Sequence, residues 1–159
     1  MVGGPGFDKR LVAQMEAASG IPSVTTSTAL LEAFERLSVR KLSIVTPYSD
    51  ALNRLEADYL SAEGYETVQI RGLSIEDVTV LPFVESEAYF RLAMEQGAAG
   101  ADALFISCTG ICALPQIERL ERELGVPVIT SNQATIWCAM RRIGYRQALP
   151  GLGLLGTLA

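Results

Sequence analysis

The sequence contains no histidine. That absence excludes Ser–His and Cys–His nucleophile pairs and takes from any zinc site its commonest nitrogen ligand. Cysteine is scarce, with Cys108, Cys112 and Cys138 the only three. An odd count without CxxC spacing does not make a disulfide framework, and three thiols fall short of an all-cysteine tetrahedral metal site. Reduced thiols are the expectation. No apolar run approaches the roughly 18–20 residues of a membrane span. The opening MVGGPGFDKR lacks the charged-then-apolar order of a secretion signal. A soluble cytoplasmic protein with no membrane partner is therefore expected. Acidic residues outnumber basic ones, 18 to 13, and no basic patch stands out, so nucleic acid is not an expected partner. No Walker pattern is present, which removes that cradle for a nucleotide.

What is there is a regular alternation of strand and helix signals within 159 residues, the length of one ordinary domain. IPSVTT (21–26) is short and β-branched, and Leu30, Leu31, Phe34 and Leu37 follow at helical spacing. KLSIVTP (41–47) reads as a buried strand. A helix over about 49–63 places Leu52, Leu55, Tyr59 and Leu60 inward and stops at Gly64. YETVQI (65–70) is the next strand, and a looser stretch leads to a helix near 85–97. DALFIS (102–107) is a strand and 113–124 a helix ending at Gly125. VPVIT (126–130) is a strand and NQATIWCAMRRIG a helix, and the glycine-rich tail has room for one short strand. Repeated βα units predict an α/β fold, a doubly wound parallel sheet with helices on both faces.

Residues 39–159 make a complete Rossmann-like domain on this reading, and 1–38 are left over as helix, strand, helix. An internal echo accounts for the remainder. Gly20, Pro22, Thr25, Ala29 and Arg36 align without a gap on Gly125, Pro127, Thr130, Ala134 and Arg141. The expectation is a duplicated domain of which 1–38 is the remnant of the first copy. The counterpart of Cys108 then falls at, or upstream of, Met1. The apolar face of the remnant, with Leu30, Leu31, Phe34 and Leu37, must lie on the second domain, on a partner or in water, so self-association into a homo-oligomer or poor solubility is expected.

In an open parallel sheet, ligands bind beyond the carboxyl ends of the strands. Cys108 lies there, after DALFIS and before the predicted helix of 113–124, with Thr109 and Gly110 completing a tight turn. The unpaired amides of a helix start attract anions and favour thiolates. A sulfur beside such a hole suits chemistry next to a carboxylate. The plainer alternative is that Cys108 is a small buried hydrophobe. Cys112 follows one helical turn on, and Cys138 sits in an apolar helix where packing explains it. Tyr48, in TPYSD, either donates its hydroxyl to a substrate oxygen or is a half-buried rim tyrosine. The hydroxyl clusters VTTST (24–28) and ITSNQ (129–133) either line the same edge or cap helices.

The stretches GIPSVTTSTALLEAF, LSIVTPYSD, LFISCTG and GVPVITSNQATIW, in that order, resemble the aspartate/glutamate racemase superfamily. Within it they are most similar to the maleate cis–trans isomerase and arylmalonate decarboxylase branch. The resemblance covers nearly the whole chain. It implies two similar α/β domains with the site between them, no metal and no organic cofactor. It implies a small dicarboxylate substrate, Cys108 as the catalytic thiol of the CT turn, and Tyr48, Thr109 and Gly110 as substrate-binding positions. In the isomerase branch two cysteines face each other, and one thiolate adds to the alkene before rotation and elimination. In racemases two cysteines act as base and acid, and in the decarboxylase branch one cysteine protonates an enediolate. The branch's first cysteine precedes the segment resembling GGPGFD, so an N-terminally truncated member is expected. An isomerase is the first expectation, a decarboxylase or racemase the second, and a carboxylate-binding remnant without turnover the third.

Overall fold

The computed structural model describes residues 6–159; Met1–Pro5, including the start of GGPGFD and the expected counterpart position of Cys108, lie outside the described residues. Helix α1 spans Phe7–Ser19 and α2 Thr26–Arg36, before the first strand, β1, Lys41–Thr46. Helix α3 covers Asp50–Ala62, β2 Glu66–Gly72 and α4 Ser86–Gln96. Strand β3 is Ala103–Ile106, α5 Ile117–Leu124, β4 Val128–Thr130, α6 Ser131–Arg142 and α7 Gly153–Thr157. The sheet is parallel throughout, in the order β2-β1-β3-β4.

Side chains alternate across the sheet and build two cores. Leu42, Ile44, Phe105 and Ile129 face α2, α3 and α6, and Phe34 of α2 packs between the rings of Tyr65 and Phe105 at 5.2 and 5.5 Å. Val45, Leu104, Ile106 and Val128 face Tyr89 and Phe90 of α4 and Ile117 and Leu120 of α5. A wholly buried phenylalanine or leucine contributes roughly 1.5–3 kcal/mol, so both layers are anchored from both faces. The expected doubly wound arrangement is the one observed.

Four local expectations are corrected. Residues 22–25, within the expected strand 21–26, form no strand: the sheet runs β2-β1-β3-β4 and they pair with none of its members. The helix expected over 113–124 splits into a 3-10 turn at Leu114–Gln116, which holds Pro115, and α5 proper. The tail holds α7 instead of a strand; Gly156 packs so closely that a Cβ there would lie 2.4 Å from the Leu149 carbonyl oxygen. The inward face of α3 is Asn53, Glu56 and Leu60, not Leu52 and Leu55, which are exposed. The first half of α3 lies over the polar strand ends, where Thr46 Oγ1 donates to Asn53 Oδ1 at 2.7 Å and the Ser107 hydroxyl donates to Glu56.

Candidate active site

Parallel strands put all their carboxyl ends on one edge, and the register brings Val45, Ile106 and Thr130 level there. The residues that follow them are Tyr48 after β1, Ser107 and Cys108 after β3, and Ser131 after β4. They line one cavity of about 230 Å³ together with Thr109, Glu56, Tyr59 and the first residues of α2, Thr26 and Ser27. Leu30, Leu60 and Phe105 supply its apolar wall. No lysine or arginine lines it among the described residues.

Each wall has a local cause. The Tyr48 turn is held by Thr46 Oγ1, which accepts the Tyr48 amide at 3.0 Å, and by amides of residues 73–75, which bond back to 46–48. Gly72 is required beside it, since a Cβ would stand 1.9 Å from the Tyr48 carbonyl oxygen. Cys108 has φ +134°, a conformation that costs a non-glycine residue on the order of 1–3 kcal/mol. Its neighbours hold it there. The Ser107 amide donates to the Val45 carbonyl at 2.9 Å and the Cys108 amide to Ser131 Oγ at 3.1 Å. Asn132 Nδ2 donates to the carbonyls of Thr109 and Ile111, each at 3.2 Å. The Gly110 amide then donates to Cys108 Sγ at 3.3 Å.

The structure thus brings Cys108, Thr109 and Tyr48 to one cavity and sets Gly110 behind the sulfur. It does not supply the expected anion hole from α5, whose first residue is nine positions beyond Cys108. The helix starts at the cavity are those of α2 and α6 instead. Both readings of the hydroxyl clusters hold, divided by residue. Thr25 and Thr130 cap α2 and α6, whereas Thr26, Ser27 and Ser131 face the cavity. Cys112 is exposed and does not line the cavity. Cys138 is buried in the core, where burial and the Glu32 carboxylate push its thiol up to about 12. Among the described residues no group of three or more cysteine, aspartate and glutamate side chains could hold a metal ion.

Burial, followed by the neighbouring Cys108, pushes the Tyr48 phenol well above its ordinary range, so it remains a hydroxyl donor. Glu56 is the residue that sequence reading missed. It is buried, and burial pushes its carboxyl up to about 7 against the downward pull of the Ser107 hydrogen bond. The available signal was the pairing of Asn53 and Glu56 one turn apart on the helix that follows TPYSD.

A family profile described as arylmalonate decarboxylase matches residues 2–155. The arylmalonate decarboxylase of Bordetella bronchiseptica is 34% identical over 155 residues, covering 96% of this chain and 65% of that protein. The maleate isomerase of Nocardia farcinica is 34% identical over 161 residues, covering 98% of this chain and 64% of that protein. The chain therefore spans somewhat less than two thirds of the length of these relatives. A crystal structure of arylmalonate decarboxylase superposes with a TM-score of 0.86 at 34% identity, over 96% of this chain and 68% of that one. A cysteine-to-serine mutant of the Nocardia farcinica maleate cis–trans isomerase with a covalently bound succinylcysteine intermediate superposes with a TM-score of 0.89 at 29% identity, over 98% of this chain and 66% of that one. No helix of the described residues is long and apolar enough to cross a membrane.

Proposed function

We propose, from the premise that this chain belongs to the arylmalonate decarboxylase family, that it works on a carbon next to a carboxylate of a small dicarboxylate. Cys108 is the reacting group and no cofactor takes part. The observation that carries this reading is the placement of the Cys108 sulfur in a cavity ringed by hydroxyls. Tyr48, Thr109 and Ser131 are donors for the carboxylate oxygens, and Leu30 and Phe105 are the apolar wall against the carbon skeleton.

The first reaction proposed is cis–trans isomerisation of the maleate type. The sulfur bonds to one alkene carbon while the π pair moves towards the carboxylate on the other. Rotation follows about what is now a single bond. The pair returns, the carbon–sulfur bond breaks, and no proton or electron is gained overall. Binding energy from the two carboxylates is used to hold the carbon within reach of the sulfur, and the donors stabilise the negative charge that develops. The likeness to a maleate isomerase whose cysteine-to-serine mutant carries a succinylcysteine supports thiolate addition as the type of step, made in that relative by a cysteine other than the one replaced.

A second reading, decarboxylation of a malonate-type acid, is favoured by two observations. The family match is to arylmalonate decarboxylase, and Cys108 is the single cysteine of this chain that lines the cavity. There the carbon–carbon bond to one carboxylate breaks and carbon dioxide leaves. The remaining pair is held as an enediolate by the same hydroxyls, and the Cys108 thiol delivers the proton to carbon.

Turnover of maleate and of phenylmalonate by the full chain decides between them, each compared with Cys108→Ser. A loss of about a thousandfold or more in Cys108→Ser on whichever acid is turned over is expected. Undiminished turnover in that variant removes Cys108 from the mechanism, and turnover of neither acid removes both reactions.

A further inference from the structure

Glu56 sits in α3 with only 3% of its surface exposed, on the wall of the Cys108 cavity. Its Oε1 takes the Ser107 hydroxyl, and its Oε2 has no hydrogen-bond partner among the described residues. An ionised carboxylate in that position would leave a buried, negatively charged oxygen with no donor. The protonated acid is much less costly to bury there. Burial pushes the group up to about 7, which puts its change of charge near neutrality.

Among the described residues, the groups that line this site beside Glu56 are hydroxyls, phenols and a thiol, with no cation. Tyr48 reaches it from the end of β1, Cys108 from the end of β3 and Tyr59 from α3 itself. The Tyr59 hydroxyl donates to Asp8 of α1 at 3.1 Å. Tyr89 of α4 packs in the same cluster as Cys108 from the other face of the sheet. Helices α2 and α6 bring hydroxyls alone, Thr26, Ser27 and Ser131. None of these supplies a positive charge to offset an ionised Glu56. Burial pushes Tyr48, Tyr59 and Tyr89 upward, so none of the three tyrosines titrates near neutrality.

We propose that Glu56 selects what the cavity accepts through its own proton: as the neutral acid it admits an anion beside Cys108, and as the carboxylate it turns an anion away. This rests on the reading of the cavity as a carboxylate site, and it adds a residue and a pH dependence to it. A dianionic substrate would bind best below neutrality. Its apparent affinity would weaken as Glu56 ionises, while a neutral molecule of the same size would be indifferent.

The test needs no turnover. In the full chain carrying Cys112→Ser, which removes the exposed thiol, alkylation of Cys108 is followed by peptide mass spectrometry with iodoacetate and with iodoacetamide. Both reagents attack the thiolate, so the titration of the sulfur itself cancels in the ratio of their rates. Iodoacetate is an anion across the whole range and iodoacetamide is neutral. The iodoacetate-to-iodoacetamide ratio should fall about tenfold from roughly pH 5.5 to roughly pH 8.5, with its midpoint near neutrality. In Glu56→Gln, checked for folding by circular dichroism, the ratio should stay flat. A flat ratio in the parent chain overturns the proposal without reference to the variant, and so does an equal fall in Glu56→Gln. A falling ratio without turnover of either acid would sink the proposed reactions and leave the Glu56 assignment standing. A flat ratio with Cys108-dependent turnover would do the reverse.

Discussion

Ser107 joins two groups of the cavity wall: its hydroxyl donates to Glu56, and its carbonyl side leads directly into Cys108. The Glu56 carboxyl stands at about 7 in the fold against an ordinary value of 4.5. The folded state therefore binds this proton more tightly than the unfolded chain. Its contribution to stability is fully present below about pH 4.5 and is lost as pH rises from there through about 7. Glu56→Gln has no such dependence, so at pH 8 it should gain on the parent chain by on the order of 3 kcal/mol relative to the same comparison at pH 4.5. Urea midpoints at the two pH values measure the difference, and an unchanged difference would show that Glu56 is ionised in the fold. That Cys108, Thr109 and Tyr48 meet at one sheet edge was legible in the sequence, because each follows a hydrophobic strand run at a turn. Glu56 was not. In ALNRLEADYL it reads as one more solvent-facing charge, and the leucines at 52 and 55 look like the buried stripe. What reverses that face is the polar rim under α3, made by Thr46 and Ser107 from strands far apart in sequence.

The two aligned segments, around Gly20 and around Gly125, show how far an element can be read before its surroundings decide it. Gly20 ends α1 with φ +68° and Gly125 ends α5 with φ +70°, the left-handed conformation that glycine takes at a helix end. Thr25 accepts the Thr28 amide and Thr130 the Gln133 amide, so both threonines cap the helix that follows. Arg36 and Arg141 both bond to carbonyls of the last two residues. The helix, glycine stop, capped helix pattern was thus available from spacing alone. The strand between was not, because a strand needs a neighbour: 128–130 pair with β3 and 22–25 pair with nothing. These equivalences support the proposal that 1–38 derive from a first copy of the unit in 39–159. Thr130→Ala removes a capping box and should cost about 1 kcal/mol, read as a lower thermal midpoint. Gly72→Ala should be worse for the site than for the fold. The Cβ must displace the Tyr48 carbonyl, so the Michaelis constant for a dicarboxylate should rise severalfold while circular dichroism stays unchanged.

The sheet, its order and its two cores make the chain a doubly wound α/β protein, as alternating strand and helix signals predicted. The long-range fact that no local pattern contained is where α2 goes. It lies against α6, with Phe34 fully buried against Phe105 of the central sheet. Phe34→Ala should therefore cost about 3–5 kcal/mol, and unfolding followed by Trp137 fluorescence should shift together with circular dichroism. Separate shifts would mean that α2 unfolds independently of the sheet. The expected self-association now attaches to other residues, the exposed Leu52 and Leu55 of α3 and the exposed Phe83. Sedimentation at high concentration should reveal a dimer or larger species, and a sharp monomer boundary would count against it. The central claim is that the Cys108 sulfur lies within a site for small carboxylates. Alkylation of Cys108 by iodoacetamide, followed at the peptide level with and without malonate or succinate, tests this most directly. Either diacid should slow alkylation at Cys108 by an order of magnitude or more at saturation and leave the exposed Cys112 untouched. Equal rates at Cys108 with and without the diacids would contradict the account.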